Sequence, residues 1–169
     1  YAVKHNPFAY FSDINGWNGQ TFQPSPRCAE HVVDYSQLQA DLAAGDVADY
    51  VFITPNMIHD MHDGTIQDGD AWLAREVPKL LASPAYRDGG ALFLLWDEGN
   101  SQSDDPPFIA VSPNAKSGYE SKVDYDTSSF LKTVQSMLGV EPLPCSAAPD
   151  TVPVMSDLFA VPLPVVSAP

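Results

Sequence analysis

Three short, uninterrupted apolar runs constrain this chain more than any other feature: Tyr50-Val51-Phe52-Ile53, Ala91 to Trp96, and Phe108-Ile109-Ala110-Val111. Runs this short, rich in β-branched and aromatic side chains and bounded by turn formers, have the length of buried strands. Pro55 stops the first of them. A strand that is apolar throughout is covered on both faces, which favours a parallel sheet between helices. Helical patterns lie between the runs. Ser36 to Gly45 reads as a short helix with Ser36 as N-cap and Gly45 past its end. The polar stretch from Asn56 to Gly69 reads as a loop, after which Asp70 caps a helix to about Ala82. Trp72, Leu73, Val77, Leu80 and Leu81 share its inner face, and Pro78 is expected to kink it. Asp126 or Thr127 starts another, carrying Phe130, Leu131, Val134, Met137 and Leu138 and closed by Gly139. Strands alternating with helices predict an α/β fold with a mostly parallel sheet flanked by helices. Residues 1–140 read as part of one domain, and the Pro-rich residues 141–169 as an extended strap.

Charge removes several function classes. Lys and Arg total 8 against 22 Asp and Glu, a formal net charge of -14 over 169 residues. Nucleic acid and anionic membrane surfaces both require a basic face, so neither is expected as the main partner. No apolar run approaches the roughly 20 residues of a membrane span. The chain starts at Tyr1 with no visible signal peptide, and reads as a trimmed product or the C-terminal part of something longer. Cys28 and Cys145 are too few for a structural zinc site. They leave two options: a disulfide closing most of the chain, which the loop-entropy model values at roughly 4–5 kcal/mol, or two unpaired thiols.

In open α/β sheets, ligands bind beyond the carboxyl ends of the strands. Two predicted strand ends carry charge. After Ile53 the chain runs through Pro55 and Asn56 to His59, Asp60, His62 and Asp63; after Leu95 it runs Trp96-Asp97-Glu98. Two carboxylates at the end of an apolar strand are costly unless a cation neutralises them, and a hard divalent metal bound through oxygen meets that need. The plainer alternatives are a polar turn with helix-capping aspartates and a solvated loop. His31 sits in an ordinary segment and is expected to be structural.

Four motifs in order carry a resemblance: Lys4-His5-Asn6-Pro7-Phe8, Pro55-Asn56 with Asp60-x-His62-Asp63, Trp96-Asp97-Glu98, and Val111-Ser112-Pro113. Together they resemble the secreted acid phosphatase and phospholipase C-type phosphoesterase family, within the alkaline-phosphatase-like superfamily. The Trp-Asp-Glu form is more similar to the acid phosphatase branch; the phospholipase branch usually has a His soon after the acidic pair, whereas Ser101 to Pro107 contains none. The resemblance implies an alkaline-phosphatase-like fold, with Asp97 and Glu98 as ligands of a catalytic divalent metal ion. It also implies His5 and His62 around the phosphate, assisting the leaving group, with Asp60 orienting His62 or approaching the metal.

The family's Ser or Thr nucleophile and remaining metal ligands lie upstream of the His-Asn-Pro-Phe segment. The resemblance therefore implies the C-terminal part of an incomplete domain, inactive alone and completed by a missing N-terminal half. It further implies hydrolysis of a phosphorylated small molecule through a phosphoenzyme. Secretion or a periplasmic location, and a Cys28–Cys145 bridge, belong to the same expectation. The alternatives are a phospholipase C-type phosphodiesterase and a non-catalytic secreted binding module.

Overall fold

A computed structural model describes residues 2–23, 25–99, 105–143 and 151–163. The chain divides into two units, Tyr1–Ala85 and Tyr86–Pro169.

The first unit is built from short elements whose ends are fixed by local chemistry. A 3₁₀ turn at Val3–His5 is followed by another at Pro7–Tyr10, started by Pro7 and capped by the Asn6 side chain, which accepts from Phe8 N. Helix α1 (Ser12–Asn15) stops at Gly16, whose φ of 75° lies in the left-handed region. A side chain there is also excluded by space, since a Cβ would sit 2.2 Å from the Gln23 carbonyl oxygen. Helix α2 (Pro26–His31) has Ser25 as its cap, and α3 (Tyr35–Ala44) is capped by Asp34 and ended by Gly45. The predicted cap, Ser36, donates instead to the Asp34 carboxylate.

Helix α4 (Ile66–Leu81) begins earlier than the sequence reading placed it. Thr65 and Asp68 form a reciprocal capping box: the Thr65 side chain accepts from Asp68 N, and the Asp68 carboxylate accepts from Thr65 N. Pro78 lies inside the helix, which runs on for three residues beyond it. Tyr35 of α3 reaches Trp72 and Glu76 of α4. The two rings are 5.5 Å apart, and Tyr35 Oη donates to Glu76 Oε2. Lys79 and Arg75 also donate to the buried Glu76 carboxylate, at 2.7 and 2.8 Å.

The expected strand Tyr50–Ile53 is not one. Tyr50, Val51 and Phe52 are 40, 42 and 46% exposed, and the segment joins no ladder among the described residues. β-Propensity is realised only when a partner strand satisfies the backbone. Here the run is held instead by its aromatic rings, with Phe52 and Tyr50 against Phe8 at 5.7 and 6.4 Å.

In the second unit, β1 (Leu92–Leu95) pairs with β2 (Phe108–Val111) in antiparallel register, Leu92 opposite Val111 and Leu95 opposite Phe108. This corrects the expectation of a mostly parallel sheet, as far as the described strands go. A parallel connection needs a crossover, usually a helix, and the described residues between these strands form none. The mixture of helix and strand is as expected; an alkaline-phosphatase-like sheet is not seen among the described residues. Helix α5 (Pro84–Arg87) falls at the boundary between the units.

Helix α6 (Thr127–Leu138) starts at the Asp126 cap and ends at Gly139, and lays Phe130 against Phe93 and Phe108 at 5.2 and 5.5 Å. Residues 151–163 pack onto this unit and bury Met155, Phe159 and Leu163. Their backbone is tied in at both sides, by Lys116 N to Leu158 O and by Ala160 N to Asn114 O. Thr133, fully buried on α6, accepts from Met155 N and donates to Ser129 O.

Candidate active site

Three side chains singled out from the sequence, His5, Asp60 and His62, come together in the first unit. His5 closes the opening 3₁₀ turn, and its carbonyl accepts from Thr54 Oγ1 at 3.1 Å, which fixes the turn beside the strand-like run. Asn56 shapes the next loop: its side-chain oxygen accepts from the backbone of both Ile58 and His59. This local Asx geometry bends the chain back without any sheet. Gly64 closes the loop tightly, because a Cβ there would lie 2.1 Å from the Ile58 carbonyl oxygen.

Met61 then takes φ 71°, and is the single non-glycine residue with positive φ among those described. A side chain in the left-handed region costs of order 1 kcal/mol, so the surroundings must hold it there. Gly69 of α4 does this, since a Cβ on Gly69 would meet Met61 Cε at 2.4 Å and Cγ at 2.6 Å. Its missing side chain is the seat of Met61.

The turn at Met61 brings His62 back over Asp60. The two Asp60 oxygens then divide their work. Oδ2 pairs with His5 Nδ1 at 3.0 Å, and Oδ1 accepts from His62 N at 2.8 Å. One carboxylate thus braces both histidines, whose ring centroids are 5.3 Å apart. His5 and Asp60 are largely covered, whereas His62 is exposed.

The hydrogen bonds also define protons. Lys4 Nζ lies 3.0 Å from His62 Nε2. An ammonium only donates, so Nε2 is the acceptor; Nδ1 then carries the proton and donates to Asp63 Oδ1 at 2.9 Å. Because a carboxylate only accepts, His5 Nδ1 is likewise the protonated nitrogen. The result is two imidazoles and an ammonium at one place in a chain of net charge -14. Lys4 is the residue that sequence reasoning missed. Its signal was its place next to His5, as one of only 8 Lys and Arg residues.

His59 belongs to a different environment, stacked on Trp72 with centroids 6.4 Å apart. His31 sits at the end of α2, exposed, 4.0 Å from Glu30. Asp97 and Glu98 follow β1 in the second unit, and both are exposed. Neither is neutralised by a cationic side chain among the described residues, where no group of three metal-ligating side chains occurs. Two such carboxylates suit a hard divalent cation, which would draw its other ligands from elsewhere. Cys28 forms no disulfide with a described residue, and Cys145 lies outside the described residues.

His5, His62 and Lys4 thus meet at one place, with Asp60 and Asp63 on the two rings. The phosphoesterase family model matches residues 3–105, which include all of these side chains. The chain belongs to that family. It is 27% identical over 103 residues to a phosphate-repressible acid phosphatase of Penicillium chrysogenum, covering 61% of this chain and 23% of that protein. To an acid phosphatase of Aspergillus fumigatus it is 24% identical over 148 residues, 85% of this chain and 31% of the relative. To a phosphatidylinositol-3-phosphatase of Mycobacterium tuberculosis it is 27% identical over 161 residues, 94% and 48% respectively. The chain therefore spans about a quarter to a half of these relatives. No solved structure matches it significantly.

Proposed function

We propose that this chain is the C-terminal part of a divalent-metal-dependent phosphomonoesterase of the acid phosphatase type. The observation that carries the reading is the Asp60 brace, which holds His5 and His62 with ring centroids 5.3 Å apart. Two imidazoles at that spacing are close enough for one phosphate group beside them to meet a nitrogen of each ring. With His5 Nδ1 tied to Asp60, Nε2 is the nitrogen available to a phosphate oxygen. In this reading His62, whose Nε2 meets Lys4 Nζ, is the general acid for the leaving alkoxide. Asp63 keeps the ring of His62 oriented through Nδ1.

Asp97 and Glu98 would hold the metal ion, and the chemistry a bound divalent ion supplies is stabilisation of charge in phosphoryl transfer. The nucleophile in this reading is a Ser or Thr on a segment N-terminal to these residues, giving a phosphoenzyme. The short span of the relatives that the chain covers is in keeping with that. The names of the relatives, phosphatases in each case, favour a monoester over the phospholipase C-type diester alternative and over a binding module. The natural substrate is then a phosphorylated small molecule, and a secreted or periplasmic location with a Cys28–Cys145 bridge accompanies the proposal.

Kinetics of the complete protein on p-nitrophenyl phosphate and bis(p-nitrophenyl) phosphate test the proposal. Monoester turnover that is abolished by chelation, restored by a divalent metal and lost in Asp97→Ala is expected. Preference for the diester, or unchanged activity in Asp97→Ala, would contradict it.

A further inference from the structure

Lys4 differs from the ion-paired cations of this acidic chain in meeting a histidine ring nitrogen. Arg27 pairs with Asp13, Arg75 and Lys79 with Glu76, and Lys122 with Glu120. Lys4 pairs with no carboxylate among the described residues; its ammonium rests on the neutral Nε2 of His62. Such a contact is exposed, and an ammonium gains more from an anionic oxygen than from a neutral acceptor. The groups around it are His62 itself, Asp63 on the far nitrogen of that ring, and His5 with its Asp60 partner. Asp63 and Asp60 are both engaged by imidazole nitrogens. A phosphate oxygen entering beside the two rings would be the nearest strong acceptor not already held.

We propose that Lys4 is a phosphate-binding residue of this site, which leaves His62 Nε2 for a phosphate oxygen when substrate enters. The inference rests on the phosphatase reading above and adds a third donor to it. Departure of Lys4 leaves His62 Nε2 without the donor it meets in this structure. No bond is made or broken in the exchange; one hydrogen-bond donor changes its acceptor. Lys4 then acts at the phosphate, and its partner His62 acts at the leaving oxygen.

Inorganic phosphate is the probe. Calorimetric titration of the wild-type protein, Lys4→Gln and Lys4→Arg should show binding about tenfold weaker in Lys4→Gln, the usual scale for one hydrogen bond to a charged group. Lys4→Arg should stay within about threefold of wild type, since a guanidinium also donates to phosphate. In parallel, phosphate should protect Lys4, but not the exposed Lys122, from acetylation by acetic anhydride as read by peptide mass spectrometry. Lys4 is exposed, so neither substitution touches the core. Wild-type affinity in Lys4→Gln with no protection of Lys4 would overturn the role of Lys4 and leave the phosphatase reading standing. Failure of the wild-type protein to bind phosphate would overturn both.

Discussion

Asp60 and Asp157 are both aspartates with a side-chain partner from a distant part of the sequence, and they do opposite things. Asp157, in the second unit, accepts from the hydroxyls of Tyr119, Ser121 and Tyr125, so each partner spends its one proton on the carboxylate. It clasps residues 151–163 to the loop before α6. Asp60, in the first unit, holds an imidazole by one ring nitrogen and the next histidine by its backbone. Its partners retain a ring edge that can do chemistry. The number of hydrogen bonds does not distinguish a structural carboxylate from a functional one. What the partners have left over does.

The largest expected effect lies on the Asp60 side. In the complete enzyme, His62→Ala should lower kcat by roughly 10²–10⁴-fold, the size of a general acid's contribution. Its unfolding free energy should change by less than about 1 kcal/mol, because the ring is exposed. A loss under tenfold would return His62 to a structural role. Asp157→Ala should show the reverse pattern: about 1–3 kcal/mol of stability lost in urea unfolding, from three hydroxyls deprived of a charged acceptor, with phosphate affinity unchanged. A loss of phosphate binding in that variant would erase the contrast.

The same clasp predicts a pH dependence. Burial pushes the Asp157 carboxyl up, but hydrogen bonds from Ser121, Tyr125 and Tyr119 and the nearby Lys116 charge outweigh it and hold the carboxyl below the usual aspartate range. A carboxyl lowered by folding stabilises the protein above its unfolded pKa, and that contribution disappears as the pH falls through the lower, folded value. Wild type should therefore lose its stability advantage over Asp157→Ala only in that acidic window. An advantage that vanishes near neutrality would contradict the clasp.

A smaller effect sharpens the account of Asp60. Gly69→Ala would gain helix propensity on α4 yet push its Cβ into Met61, the residue whose left-handed backbone aims His62. Activity should fall by roughly tenfold through a displaced ring, with a loss of about 1 kcal/mol of stability as Met61 is pushed from its seat. Full activity would show that Met61 does not position His62.

Helix ends and strand cores were the legible part of this fold. Gly45 and Gly139 end α3 and α6 as their positions in the sequence suggested, and Phe108–Val111 is a strand over the residues expected. These features depend on neighbours along the chain. Thr65 and Asp68 spelled out a capping box that the sequence reading passed over, because the His-rich stretch before it looked like continuous loop. Strand pairing was not legible: four apolar residues specify neither a partner nor a direction, so Tyr50–Ile53 joins no ladder among the described residues and β1 and β2 run antiparallel. At the site, His5, Asp60 and His62 were legible as residue types. Their bracing through one carboxylate depends on φ at Met61 and on the space above Gly69, which no local pattern announces. Lys4 and Asp157 escaped for the same reason, since each gains its meaning only from a distant partner.

The central claim is that His5 and His62 are two halves of one phosphate site held by Asp60. A phosphate titration followed through the imidazole resonances of all four histidines by NMR tests it most directly. The rings of His5 and His62 should shift together with a single dissociation constant, weakened for both in Asp60→Asn, while His31 stays still. Movement of one ring without the other, or equal shifts at His31, would contradict the shared site.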